Sequence, residues 1–403
     1  MRVRCIQQIA AAIAWIGTPV FAQQAATTVT IPVRQLSAPE AVTSDTLRTI
    51  NGLQHLSDGR VLVNDPIRRR LVIFDQSLRL ATVVADSSGT PARYPTSNFQ
   101  TAFFNYLGDS ALLLDWTSQA FLVIEPSGKI GRAMAHPFPR DMGLAIGISP
   151  AMFDDRGRLL YRTMGTSPLG TRPGAAPAPP RSRDSIAIVR ADFESRTIDT
   201  VARLTIPYFA RPVFQGEGAS RTATMTINPI PIPGDEWVVT SDGSLAVVRP
   251  SDYHIDWTLS DNTKISTPKM PFDWRPLSDA DKQARIDSVK HLIDSLTKSG
   301  GFAPNMMISS QLQSGGPRRL DTTFATVRFV PFSEMPDYFP PFRANTVKSD
   351  RDNNVWIPPT TTFTQQMSGF VYDVINKKGE IVERVAIPGA ASSQVLDQAA
   401  WCT

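Results

Sequence analysis

The sequence predicts an all-β chain, a six-bladed β-propeller of four-stranded antiparallel blades carrying one inserted helix. Three observations predict it. A four-strand pattern returns several times along the chain, its strands are short and separated by polar turns, and a further strand near the start is free to complete a blade. Each small sheet in such a ring buries its two faces against its neighbours, which is why radial repetition is a stable solution for short strands.

The first unit sets the pattern. Leu53–Leu56 reads as a strand, Ser57-Asp58-Gly59 as a turn and Arg60–Asn64 as a second strand. A loop at Asp65–Arg69 leads to a third strand, Arg70–Asp75, and Leu78–Val84 is the fourth. The same order returns from Phe103, with the Gly108-Asp109-Ser110 turn, Ala111–Asp115, Phe121–Glu125 and the Pro126-Ser127-Gly128 turn. Asp65 and Asp115 are followed, at the same interval, by the acids that end the third strand, Asp75 and Glu125. A third unit runs from Met152 through Arg158–Arg162 and resumes at Asp184–Arg190 and Thr197–Leu204. A fourth takes Thr224–Pro229, Glu236–Thr240, Ser244–Arg249 and His254–Leu259. The fifth takes Ala344–Lys348, Asn354–Ile357, Gly369–Ile375 and Glu380–Ile387. Thr27–Arg34 alternates like a strand and is expected to close the ring in a sixth blade. Only Gly389–Thr403 remain for that blade's other strands, so either it is incomplete or the C-terminus departs from the pattern.

The run Asp58-Gly59-Arg60-Val61-Leu62-Val63-Asn64-Asp65, followed by Arg70-Leu71-Val72-Ile73-Phe74-Asp75, resembles NHL-type and related (TolB-like) six-bladed propeller repeats. The chain is also similar to exported bacterial six-bladed propeller proteins. The resemblance implies the fold and a structural role for Asp65 and Asp115, and it implies no activity, because a fold does not carry its function with it.

The N-terminus reads as a secretory signal. Arg2 and Arg4 precede an uncharged run at Ile9–Gly17, and Val20-Phe21-Ala22 places cleavage after Ala22. The run is well short of the roughly 20 apolar residues of a spanning helix. Residues 23–403 are then expected to be a single propeller domain, periplasmic or extracellular. The chain carries 41 basic and 37 acidic residues. Loss of Arg2 and Arg4 leaves about +2, which points to no nucleic-acid partner. Cys402 is the one cysteine past the signal, so no internal disulfide can form even in an oxidising compartment.

Insertions favour one face. The loop 163–183 is rich in Pro, Gly and Ala, and the links 205–223 and 264–343 are long. In a propeller these segments emerge opposite the short turns, and that face is the candidate binding face. The longest link holds a helix signal: Ser278 as N-cap, Asp279 and Asp281 in the first turn, Ile286, Val289, Ile293 and Leu296 on one side, and Gly300-Gly301 as the stop. The helix is expected to cap the propeller mouth or to face a partner.

Chemistry-bearing motifs are sparse. The four histidines lack zinc-like spacing, and no GxSxG elbow, P-loop or GxGxxG is present. Arginines beside aromatics in the long links make Arg211, Arg275 and Arg343 candidate ligand contacts, and His55 sits on an innermost strand where it can face the axis. The reading is an exported, monomeric binding module for a peptide, protein or small ligand, with no cofactor. The alternative is a lactonase- or esterase-like hydrolase with a divalent cation on the axis.

Overall fold

The computed structural model of the protein describes residues 31–95, 101–135, 151–163, 184–206, 210–215, 222–230, 234–299, 306–311, 319–362 and 369–388. The signal segment 1–22, nearly all of the loop 163–183 and the tail with Cys402 lie outside them.

A first strand, β1 (Val33–Gln35), precedes five four-stranded meanders and two interruptions of their order. Blade I is β2 (Leu53–His55), β3 (Val61–Asp65), β4 (Arg70–Phe74) and β5 (Leu80–Ala85). Blade II is β6 (Phe103–Asn105), β7 (Ala111–Asp115), β8 (Ala120–Ile124) and β9 (Ile130–Ala135). Blade III is β10 (Ala151–Phe153), β11 (Leu159–Arg162), β12 (Asp184–Asp192) and β13 (Thr197–Ile206). The chain then leaves the ring for β14 (Ala210–Gln215) and β15 (Thr222–Ile227). Blade IV follows as β16 (Glu236–Val239), β17 (Leu245–Arg249), β18 (His254–Thr258) and β19 (Lys264–Ser266). After helix α1 (Asp279–Lys298), β20 (Met306–Gln311) and β21 (Arg319–Phe329), blade V is β22 (Lys348–Ser349), β23 (Val355–Ile357), β24 (Gly369–Ile375) and β25 (Ile381–Pro388).

Among the described residues there are therefore five blades, and the expectation of six is corrected. β1 does not seed a sixth sheet. It lies parallel to β25, Val33 opposite Arg384, as a fifth and outermost strand of blade V. The Arg351 guanidinium donates to the His55 carbonyl at 3.1 Å, which ties blade V directly to blade I. The seam between them is filled by the segment after β1: Leu36 packs on Trp356, Tyr372 and Val385, and Leu47 and Ile50 pack on Val63, Val72 and Phe74.

The second and third strands of blades I and II are apolar without alternation because both of their faces are buried. Successive side chains point to opposite faces. On β7, Ala111 and Leu113 pack towards blade I, with Leu62, Leu71 and Ile73. Leu112 and Leu114 pack towards blade III, with Leu159 and Tyr161. On blade IV, Trp237 and Val247 meet Leu160 and Ile188, while Val238 and Val248 meet Val355 and Ile357. Each Val, Leu or Ile among them contributes about 1.5–3 kcal/mol on full burial.

Blade IV starts one strand later than the sequence reading has it. Its inner hairpin is β16–β17, joined by Ser241-Asp242-Gly243, and Thr224–Pro229 falls largely on β15 outside the ring. Pro250-Ser251-Asp252 is consequently the turn between second and third strands and belongs to the long-loop face. The cause is turn chemistry: Gly243, at φ +77°, follows Asp242 as Gly59, at φ +84°, follows Asp58.

The two long links are not loops over the mouth. They form one mixed sheet, β14-β15-β21-β20, in which β15 and β21 run parallel. Helix α1 packs on this sheet through Ile293 and Val289, against Ala223, Met225 and Val327, and through Ile286 against Ile230 and Val330. Its cap is as read: Ser278 accepts the Asp281 N–H and the Asp281 carboxylate accepts the Ser278 N–H. Helix α1 thus covers the inserted sheet, and the expectation of a mouth-capping helix is corrected.

Neighbouring inner turns interlock around the ring. Ser57 N–H donates to Asp109, and Asp242 N–H donates to the Asn353 side chain at 2.9 Å. Lys377 pairs with the Asp242 carboxylate. Burial raises the Asp242 pKa, but Lys377, Thr240 and Ser244 outweigh it and hold the group at about 2. A depressed carboxylate stabilises the fold fully above its unfolded value, 3.8, and loses that contribution as pH falls towards 2. Asp242→Asn is expected to lower the melting temperature at pH 6, with the difference from wild type shrinking between pH 4 and pH 2. The side chain is 40% exposed, so the difference is small. Gly243→Ala is expected to cost about 1–2 kcal/mol in chemical unfolding, because alanine resists the left-handed conformation held there.

Candidate functional site

The five inner strands surround a cavity of about 680 Å³ on the axis of the ring. Each blade contributes the same element to it. The turn after the inner strand starts with a backbone bond from Leu56, Tyr106, Asp154, Thr240 and Asp350, each N–H donating across its hairpin at 2.8–3.1 Å. In an antiparallel pair, bonded and non-bonded residues alternate. The residue before each of these is therefore non-bonded within its hairpin, and its N–H and C=O face away from the second strand, towards the axis. Those residues are His55, Asn105, Phe153, Val239 and Ser349, and all five line the cavity.

Some of these groups are engaged between blades. The His55 carbonyl accepts from Arg351, the Val239 carbonyl accepts the Ser349 hydroxyl at 2.8 Å, and the Val239 N–H meets Met152 Sδ at 3.4 Å. Others are not. Gln54 is 6% exposed and its Oε1 has no hydrogen-bond partner among the described residues, nor has Nδ1 of His55. Leaving a buried polar atom unpaired costs about 1–3 kcal/mol, and both atoms are sealed within the wall of the cavity, away from its open space.

Beside the cavity, Glu236 at the start of β16 is a half-buried carboxyl. Burial pushes its pKa up, opposed by the Asn345 N–H at 2.9 Å and by the charges of Arg162 and Lys348. Burial also draws the Arg162 guanidinium down, opposed by Glu236. Perturbed, desolvated charges of opposite sign beside a cavity are a functional-site signal. Sequence reading misses this cluster because its members come from three blades and share no motif.

The candidate residues read from the sequence are dispersed. His55 lines the axis. Arg275 is exposed, pairs with Asp273 at 3.2 Å and donates to the Thr361 carbonyl at 3.1 Å. It belongs to a surface ladder, Phe272–Trp274–Tyr338, with ring centroids 5.0 and 6.1 Å apart. This ladder joins two links distant in sequence, and Phe339 N–H donates to the Arg275 carbonyl at 2.9 Å. Arg343 is an exposed residue of the second link, outside the axial lining. Arg211 lies on β14, and its side chain is outside the described placements. Asp65 holds a turn: it accepts the N–H groups of Arg48 at 2.9 Å and Arg68 at 3.1 Å. Among the described residues, no three His, Cys, Asp or Glu side chains are grouped to hold a metal ion, so the hydrolase alternative has no ligand set there.

Three solved structures illustrate what the chain is similar to. A member of the DUF4221 family from Bacteroides vulgatus has 10% identity and a TM-score of 0.39, covering 85% of this chain and 83% of that one. A calcium-binding protein, regucalcin, from Agrobacterium tumefaciens has 10% identity and a TM-score of 0.35, covering 89% and 80%. A catalytically inactive virginiamycin B lyase from Staphylococcus aureus, with quinupristin, has 10% identity and a TM-score of 0.33, covering 86% of each chain. At these values the likeness carries no argument about function or blade number. No family model and no curated protein matches the sequence.

Glu236→Gln tests the cost of the half-buried carboxyl. A raised folded pKa means that the charged form is disfavoured in the fold, and the penalty fades as pH falls through that pKa. The substitution is expected to raise the melting temperature at pH 7 to 8, with the gain vanishing near pH 4.5, the ordinary value for this group.

Proposed function

We propose that this protein is an exported binding module that receives a small ligand on the propeller axis, at the end lined by the short turns between first and second strands and not on the long-loop face expected from the sequence. One observation carries the reading: the inner edges of five blades converge on one cavity, where the axis-facing main-chain groups of Asn105, Phe153 and Ser349 have no partner among the described residues. About 680 Å³ lies within the usual range for small-molecule sites. Rigid blades with engaged turns suit binding without a large conformational change.

Export rests on the charged, apolar and small-residue order of residues 2–22. Mass analysis of protein secreted by a bacterial host is expected to give an N-terminus at Gln23. Intact retention of residues 1–22 would remove the export reading. For the binding reading, purified protein is expected to turn over no member of a lactone and ester panel. Stoichiometric divalent metal together with turnover would replace it with the hydrolase.

A further inference from the structure

The charged side chains of the axial lining are mostly engaged by the ring itself. Arg351 is tied to the His55 carbonyl, and Asp109 accepts the Ser57 N–H at 2.7 Å. Asp154 accepts the N–H groups of Arg156 and Arg158 at 3.0 and 2.9 Å, together with the Arg158 guanidinium at 2.8 Å. Asp350 accepts the Asn354 N–H and the Trp356 indole, both at 2.8 Å. Lys348 lies in the field of Glu236. Asp155, exposed at the rim, is the exception.

The open groups are neutral. They belong to the main chain: the axis-facing groups of Asn105, Phe153 and Ser349 and the His55 N–H. None of these has a partner among the described residues. Donors and acceptors are therefore interleaved around the cavity, coming from four of its five walls. An occupant that satisfies them must offer both kinds of group in several directions. A hydroxyl does so, because it donates one hydrogen bond and accepts others. A carboxylate or phosphate accepts only, an ammonium donates only, and either leaves part of the wall unpaired at a cost. An extended peptide adds to a sheet edge by pairing along its length. The inner strands are two to four residues long and converge from all sides, which gives no such edge.

We propose that the axial cavity binds a neutral, polyhydroxylated small molecule, such as a cyclic polyol or a simple sugar. The inference rests on the axial-binding reading and specifies its ligand class. Calorimetric titration of the purified protein with myo-inositol and D-glucose is expected to show saturable binding, about 2- to 10-fold weaker for each hydroxyl removed, as in 2-deoxyglucose. Asn105→Trp, a substitution at an exposed lining position, is expected to abolish binding. If gluconate, lysine or trialanine binds the wild type and not Asn105→Trp, while the polyols do not bind, the axis is a ligand site and the polyol class is overturned. If no probe binds, or if binding is the same in wild type and Asn105→Trp, axial binding itself is overturned.

Discussion

The structure depends on burying both faces of small sheets that cannot stand alone. A four-stranded meander whose second and third strands are apolar on both faces has nowhere to place one of those faces except against another such sheet. Leu112 and Leu114 on one side of β7, with Ala111 and Leu113 on the other, make that requirement local and unambiguous. The ring follows, and so does its central consequence. When blades pack face to face, their inner edges converge, and the main-chain groups of those edges have no strand to pair with. The candidate site is the space that this packing leaves on the axis.

The ring manages these edges in two ways. Some groups are satisfied across blades, as where Arg351 reaches the His55 carbonyl and Ser349 reaches the Val239 carbonyl. The turns beside them are fastened by carboxylates that accept their own backbone N–H groups, as Asp154 and Asp350 do at equivalent positions in blades III and V. Charge is thereby used for construction, and the lining that remains available is largely dipolar. The Glu236 cluster differs: there a carboxyl and a guanidinium are both held where burial disfavours their charge.

The inserted sheet shows how far a long link can depart from a loop. Its strands come from two separate interruptions of the ring, before and after blade IV, and β15 pairs with β21 in parallel, about a hundred residues away in sequence. Helix α1 supplies the apolar cover for this sheet, which is why its stripe is satisfied without reaching the propeller mouth. The aromatic ladder through Trp274 and Tyr338 fastens the same links at the surface.

Local order was legible in the residues themselves. The Asp-Gly turns, the short apolar strands and the Ser278 cap each depend on a few neighbouring residues whose backbone preferences are intrinsic, so blades I, II, III and V and helix α1 could be read directly. Blade IV was displaced because Thr224–Pro229 has the same strand chemistry as an inner strand, and strand propensity does not say which sheet a strand joins. The number of blades was decided by the geometry of the ring, where β1 found an open edge on β25 and Arg351 met His55. The site was only partly legible. His55 could be placed on an inner strand, whereas Glu236 and the axis-facing backbone of Asn105, Phe153 and Ser349 acquire meaning from five segments brought together. Sequence alone determined the strands and turns of this protein, because those are short-range properties. Tertiary structure decided the count of blades and the chemistry of the axis, because both arise from contacts between residues far apart in the chain.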